Sequence, residues 1–188
     1  MTDKLEKYYN FIEDDVVYIH GSFDEGISKH VIPAFKKLIS EKLPLTQKII
    51  IIDICSNGGY VYILSELLAL IEYAKEQGII IETRAMSTAH SCGAVLLASG
   101  TRGHRYASPM TRVLVHHVQT YTQASTDSQL TREYDNAKHI AVLMKDLMKK
   151  YTDIPAKELT AMLSDDSYYV YGDDLIKYGI VDEFTYKV

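Results

Sequence analysis

KIIIIDICSNGGYVYILSELLALIEYAK, residues 48–75, decides the fold class. Residues 48–54 are a nearly unbroken apolar run carrying five isoleucines. β-branched side chains favour extended backbone, and a continuous apolar run is the pattern of a strand buried on both faces. Ser56, Asn57, Gly58 and Gly59 read as a turn, because two glycines let the chain bend tightly and leave bare N–H groups. Residues 63–75 then place apolar side chains at helical spacing, which predicts an amphipathic helix ending near Gly78.

The alternation continues outward. Residues 15–20 (DVVYIH) predict a strand, and residues 28–42 a helix with Val31, Ile32, Phe35, Leu38 and Ile39 on one face. Residues 78–83 (GIIIET) predict a second buried strand, 91–99 (SCGAVLLAS) a short helix, and 112–116 (RVLVH) a third strand. A long helix is expected over about 125–150, another over 155–163, a strand over 168–171 and a helical turn over 173–178. Strands alternating with helices predict an α/β fold with a largely parallel sheet. Pro33, Pro44, Pro109 and Pro155 sit at element edges, and no linker or repeat is visible. Residues 1–188 therefore read as one domain, with 1–14 as an N-terminal segment. Sites in such sheets sit on the loops after the strands, which directs attention to 56–59 and 88–93.

Composition removes several function classes. With 47% hydrophobic and 24% charged residues the chain is globular, and its 188 residues can bury a core without staples. A net charge of −5 with no basic block leaves no nucleic-acid footprint. Cys55 and Cys92 are too few for a disulfide framework or a cysteine metal site. The opening MTDKLEKYYNF is charged, unlike a signal peptide, and no apolar run is long enough to span a bilayer. The expectation is a cytoplasmic protein. Fifteen tyrosines stand against four phenylalanines and no tryptophan. Tyrosine has an apolar body and a polar tip, so these residues are expected on half-buried surface such as an interface.

Few residues suit chemistry. Ser91 precedes a short helix, where orphan N–H groups and the dipole favour developing negative charge; it reads either as a nucleophile or as an N-cap. The 56–59 turn reads as an oxyanion hole or as a plain strand-to-helix turn. A phosphate loop is excluded, because no Lys-Ser/Thr follows the glycines. His116 ends a strand and is a candidate general base, while His117 points to the opposite face. His20, His30, His90, His104 and His139 lack metal-binding spacing and read as surface or packing residues. Asp165 and Asp166 precede Ser167; either carboxylate could orient a histidine or simply be solvated in a turn.

Taken together, the motifs resemble the proteolytic subunit of the Clp protease, a serine peptidase family of the crotonase-like superfamily. The likeness lies in GSFD (21–24), ICSNGGYV (54–61), AHSCGA (89–94), LLASG (96–100), GHR (103–105), SPMTRVLVH (108–116), ASTD (124–127) and YGIVD (178–182). Ser91 and His116 are 25 residues apart, as in that family.

The resemblance implies a single-domain fold of repeated β-β-α units with a protruding handle helix over about 125–150. It implies a serine endopeptidase acting on unfolded proteins or peptides, with Ser91 as nucleophile, His116 as base and Asp166 as the third member. Backbone N–H groups of Gly58 and Cys92 would form the oxyanion hole, the Cys92 side chain being free to vary. Residues 118–125 would flank the bound peptide. The family implies stacked heptameric rings fed by an ATP-driven unfoldase, with no cofactor in the subunit itself. Three departures stand out: Asn57 replaces a proline, His90 replaces a small residue, and an ungapped count back from Tyr178 puts Ser167, not Asp166, at the acid position. The alternative is a ring subunit with a structural or adaptor role and little or no activity. A hydratase of the same superfamily would not need the Ser–His pair.

Overall fold

The computed structural model describes residues 10–119, 124–164 and 167–186. Its sheet has eight strands: β1 (Asn10–Glu13), β2 (Val16–Ile19), β3 (Ile49–Ser56), β4 (Ile80–His90), β5 (Arg105–Ala107), β6 (Arg112–Val115), β7 (Tyr168–Tyr171) and β8 (Glu183–Phe184). The main path runs β1-β2-β3-β4-β5-β8, and β6 joins β4 on one side and β7 on the other. Only β1–β2 and β6–β7 are antiparallel. The largely parallel sheet expected from the sequence is present.

Six helices accompany it: α1 (Ile32–Lys42), α2 (Val61–Glu76), α3 (Cys92–Ala98), α4 (Asp127–Tyr151), α5 (Ala156–Met162) and α6 (Asp174–Lys177). A π-helical turn over Ile27–Val31 leads into α1, where an ordinary helix was expected. The 1–14 segment contains β1, which pairs with β2. One apolar cluster joins Ile50, Ile52, Ile54 and Ile81 of the sheet to Phe35, Leu64, Leu67 and Ile71 of the helices.

β3 corrects one expectation. Ile50, Ile52 and Ile54 are buried, but Ile49 is exposed and Ile51 only half-buried. Alternation sends the two sets to opposite faces, and the core holds only one of them. The other face carries a row across five strand pairings: Phe11, Tyr18, Asp53, Arg84, Tyr106 and Glu183. Asp53 is shielded there by His20 Nε2 at 2.6 Å.

β4 runs seven residues beyond the expected strand, and this extension carries the site. Its first half pairs with β5 through Thr83–Ala85, its last with β6 through Thr88–His90. Against β3 the register slips between Ile54 and Ser56, which marks a bulge that re-aims the strand end. The carbonyls freed at the fork are capped: Ser108 Oγ donates to Met86 O (2.9 Å) and Thr111 Oγ1 to Ala85 O (2.7 Å). Both hydroxyl residues are buried, so the SPMT stretch acts as a clip between β5 and β6.

Candidate active site

Ser91 stands where β4 ends and α3 begins, with φ 55° and ψ −115°. Positive φ is costly for a residue with a Cβ, and such strain persists only where the surroundings fix it. Here the Ser91 N–H donates to Leu114 O at 2.9 Å, tying the corner to β6. Ser91 does not cap α3: its side chain makes no capping hydrogen bond. The capping reading is thereby removed, and the hydroxyl is left to the cleft.

The glycine turn packs against this corner. Gly58 has φ 95°, and a Cβ on it would stand 2.7 Å from Ser91 Cβ and 3.0 Å from His90 O. Only glycine lets the two backbones approach so closely. Gly59 is pinned from the other side, since a Cβ there would meet Phe23 O at 2.5 Å. Phe23 N–H donates to Gly58 O (2.9 Å) and Tyr60 N–H to Phe23 O (2.8 Å), so the 21–24 segment braces the turn. Asn57 lines the cleft with Ser91.

Two partners of this turn were not foreseen. Ser56 Oγ donates to Gly21 O (2.5 Å) and accepts the Gly58 N–H (3.1 Å). The expected oxyanion donor is thus already engaged. The Cys92 thiol, fully buried, donates to Gly59 O at 3.4 Å. This overturns the freedom expected for that side chain, which helps hold the turn against α3. Burial pushes the Cys92 thiol up to about 11, so it stays protonated and is no rival nucleophile.

Ser91 and His116 line one cleft of about 540 Å³, with Phe23, Asn57, Gly59, Tyr60, Val118 and Met144 among its walls. A hollow of about 690 Å³ adjoins it, sharing Gly59, Tyr60, Val61, Val118 and Gln119 and reaching Ile140 and Leu143 of α4. Tyr60 and Tyr62 stack at 5.4 Å on its rim. Together the two hollows form a groove beside Ser91 and His116. Residues 118 and 119 line it as expected; 120–123 lie outside the described residues.

His90 lies beside this pair. Its Nε2 is buried and has no hydrogen-bond partner among the described residues, and its ring meets Tyr169 edge-on at 5.8 Å. Burial, then Arg112 and His116, hold its pKa below the usual histidine range, so it is a neutral imidazole at pH 7. Asp166 and Asp165 lie outside the described residues. Among the described residues no group of three His, Cys, Asp or Glu is set to hold a metal ion, and no helix is long and apolar enough to cross a membrane.

Known proteins resemble the whole chain rather than one motif. The chain is 29% identical over 182 residues to ATP-dependent Clp protease proteolytic subunit 1 of Chlamydia felis, covering 95% of this chain and 84% of that one. It is 26% identical over 185 residues to the ATP-dependent Clp protease proteolytic subunit of Carsonella ruddii, covering 97% and 90%. The subunit 2 of Streptomyces coelicolor is 25% identical over 180 residues, covering 96% and 79%. A model of the family described as Clp protease matches residues 2–187. That match takes in both walls of the cleft and the helix beside it, and the mixed sheet with six helices is the architecture the likeness requires: the chain belongs to the Clp protease family.

Proposed function

We propose that this chain is a serine endopeptidase that cleaves unfolded proteins or peptides. The observation that carries the reading is the strained Ser91 at the β4–α3 corner, which lines one cleft with His116. In this mechanism His116 takes the Ser91 proton as Oγ attacks the scissile carbonyl. The N–H groups of Gly58 and Cys92 stabilise the oxyanion. His116 then protonates the leaving amine, and water, activated the same way, hydrolyses the acyl-enzyme. Each step uses protein groups and water alone.

The proposal extends to assembly. Stacked heptameric rings would enclose the grooves in a chamber, an ATP-driven unfoldase would feed them, and ATP would be used by that partner alone. The compartment proposed is the cytoplasm. A second reading is a ring subunit of weak or no activity with a structural or adaptor role. It is favoured by the Gly58 N–H being already bonded to Ser56 Oγ. A fluorophosphonate probe with mass-spectrometric mapping separates the two. Labelling at Ser91 that disappears in His116→Ala supports the peptidase; wild-type protein unlabelled in its assembled form supports the second reading.

A further inference from the structure

The two hollows of the groove offer a substrate different things. The first holds Ser91 and His116; the second adjoins it across Gly59, Tyr60 and Val61 and runs along α4. On α4 it is lined by Glu133, Asn136, Ile140 and Leu143. Spacings of three and four residues put these four side chains on one face of the helix. Ile140 and Leu143 are apolar, as is Val61 across from them, whereas Glu133 and Asn136, nearer the start of α4, are polar. The charge is one-sided. Among the described residues lining either hollow the carboxylates are Asp24 and Glu133, and there is no lysine or arginine. Asp24 accepts the Gly26 N–H at 2.8 Å and is held in its own turn, while Glu133 stands exposed. Lys29, on the neighbouring π-helical turn, is paired with Glu25 at 2.6 Å. Desolvation, then Glu25, Tyr60, Glu66 and Asp24, raise the Tyr62 phenol on the rim above its usual range, which reports the same sign of field.

Resting on the serine-peptidase reading above, we infer that the second hollow is a specificity pocket for a long basic side chain, arginine or lysine, of the bound peptide, and that Glu133 selects it. A peptide with its scissile carbonyl at Ser91 turns the side chain just before that bond across Gly59 and Val61 into this hollow. The methylene stem of a basic residue packs on Val61, Ile140 and Leu143. Its cation meets the Glu133 carboxylate, with the Asn136 amide beside it. The Tyr60–Tyr62 pair on the rim offers ring faces to the same cation. An acidic side chain meets Asp24 and Glu133 with no cation to balance it, so it is disfavoured. A leucine side chain fits the apolar wall but has nothing to offer Glu133. Because Glu133 is open to water, one charge-assisted hydrogen bond there discriminates by about tenfold.

The test uses the full chain and the rate at which Ser91 is labelled by peptidyl phosphonate diphenyl esters that differ only in the side chain next to phosphorus: arginine, leucine or glutamate. A small fluorophosphonate, which has no such side chain, is the reference. The arginine probe should label about tenfold faster than the leucine probe, and the glutamate probe slowest. Glu133→Gln keeps the shape of the side chain and removes its charge, and should cut the arginine-to-leucine ratio about tenfold. Glu133→Lys should reverse the order, with the glutamate probe ahead of the arginine probe. Labelling of Ser91 by the fluorophosphonate, with an arginine probe no faster than leucine or a ratio unchanged in Glu133→Gln, overturns the inference and leaves the peptidase reading standing. No labelling of Ser91 by any probe, the fluorophosphonate included, overturns both.

Discussion

At the scale of single residues, the site depends on how closely two backbones approach. Gly58 and Ser91 both occupy positive-φ conformations, and a side chain on Gly58 would collide with the Cβ of Ser91. Gly58→Ala should therefore displace Ser91 and the Gly58 N–H together. Loss of one oxyanion donor costs about 10²–10³-fold in turnover, so the variant should lose at least that much. Its labelling rate should fall while its circular dichroism stays native; an unchanged rate would remove Gly58 from the site. Ser91, His116 and Gly58 could be singled out as candidates from the sequence because motif order and spacing survive in a linear string. Ser56 Oγ and the Cys92 thiol were not, since their partners, Gly21 O and Gly59 O, are brought to them by packing.

Between elements, one buried cation organises the far end of the sheet. Arg105 of β5 is 1% exposed. Its guanidinium binds Asp182 and the carbonyls of Tyr151 (3.0 Å) and Gly179 (2.6 Å), joining β5 to the ends of α4 and α6. For Asp182, burial alone would raise the pKa. The hydrogen bond and charge of Arg105, with the N–H groups of Gly103 and Arg105, outweigh it and hold the carboxyl below its usual range. A depressed carboxyl stabilises the fold above its unfolded pKa of about 3.9, and that contribution is lost as pH falls through the lower folded value. Arg105→Met removes the charge paired with Asp182 and the donor to the Tyr151 and Gly179 carbonyls, and should cost about 3–5 kcal/mol in urea unfolding. Burial is then opposed only by the N–H groups of Gly103 and residue 105, so the Asp182 pKa rises from its value in the parent. The Arg105→Met protein should gain less stability than the parent as pH rises through about 4. Parallel pH slopes for the two proteins would refute this account. The GHR stretch was readable as a motif, but its role was hidden because Asp182 is 77 residues away. The extension of β4 was hidden for a related reason. Residues 84–90 have little strand preference of their own and are held extended by β3 on one side and β6 on the other.

For the whole molecule, the unpartnered surface has a direction. α4 buries only Met144, Met148 and Tyr151, all in its last two turns, and Leu130, Tyr134 and Val142 project into solvent. A 25-residue helix with these exposed apolar groups is the protruding handle the sequence suggested. Tyr60, Tyr62, Tyr134, Tyr169 and Tyr171 are likewise exposed, along the groove and on the outer strands. Apolar area of this kind on one side of a protein marks a contact surface. In sedimentation, the protein should run as an assembly many times the 21.3 kDa of one chain. The double variant Leu130→Glu/Val142→Glu should run smaller with unchanged helicity, since burying a charge at a contact costs more than the contact returns. A wild-type protein that sediments as one chain would refute the proposed rings.

The sequence by itself determined the α/β alternation, the largely parallel sheet and the long helix, and marked Ser91, His116 and Gly58 as candidates for the site. Each of these is written in local periodicity or in ordered motifs, which need no knowledge of what folds against what. Only the tertiary structure decided that one face of β3 lies outside the core and that β4 forks at a bulge to present Ser91. It also decided that the Gly58 N–H is bonded to Ser56 Oγ and that the Cys92 thiol reaches Gly59 O. Those features are set by strand register and by contacts between distant segments, and a one-residue change in register reverses which side chains meet.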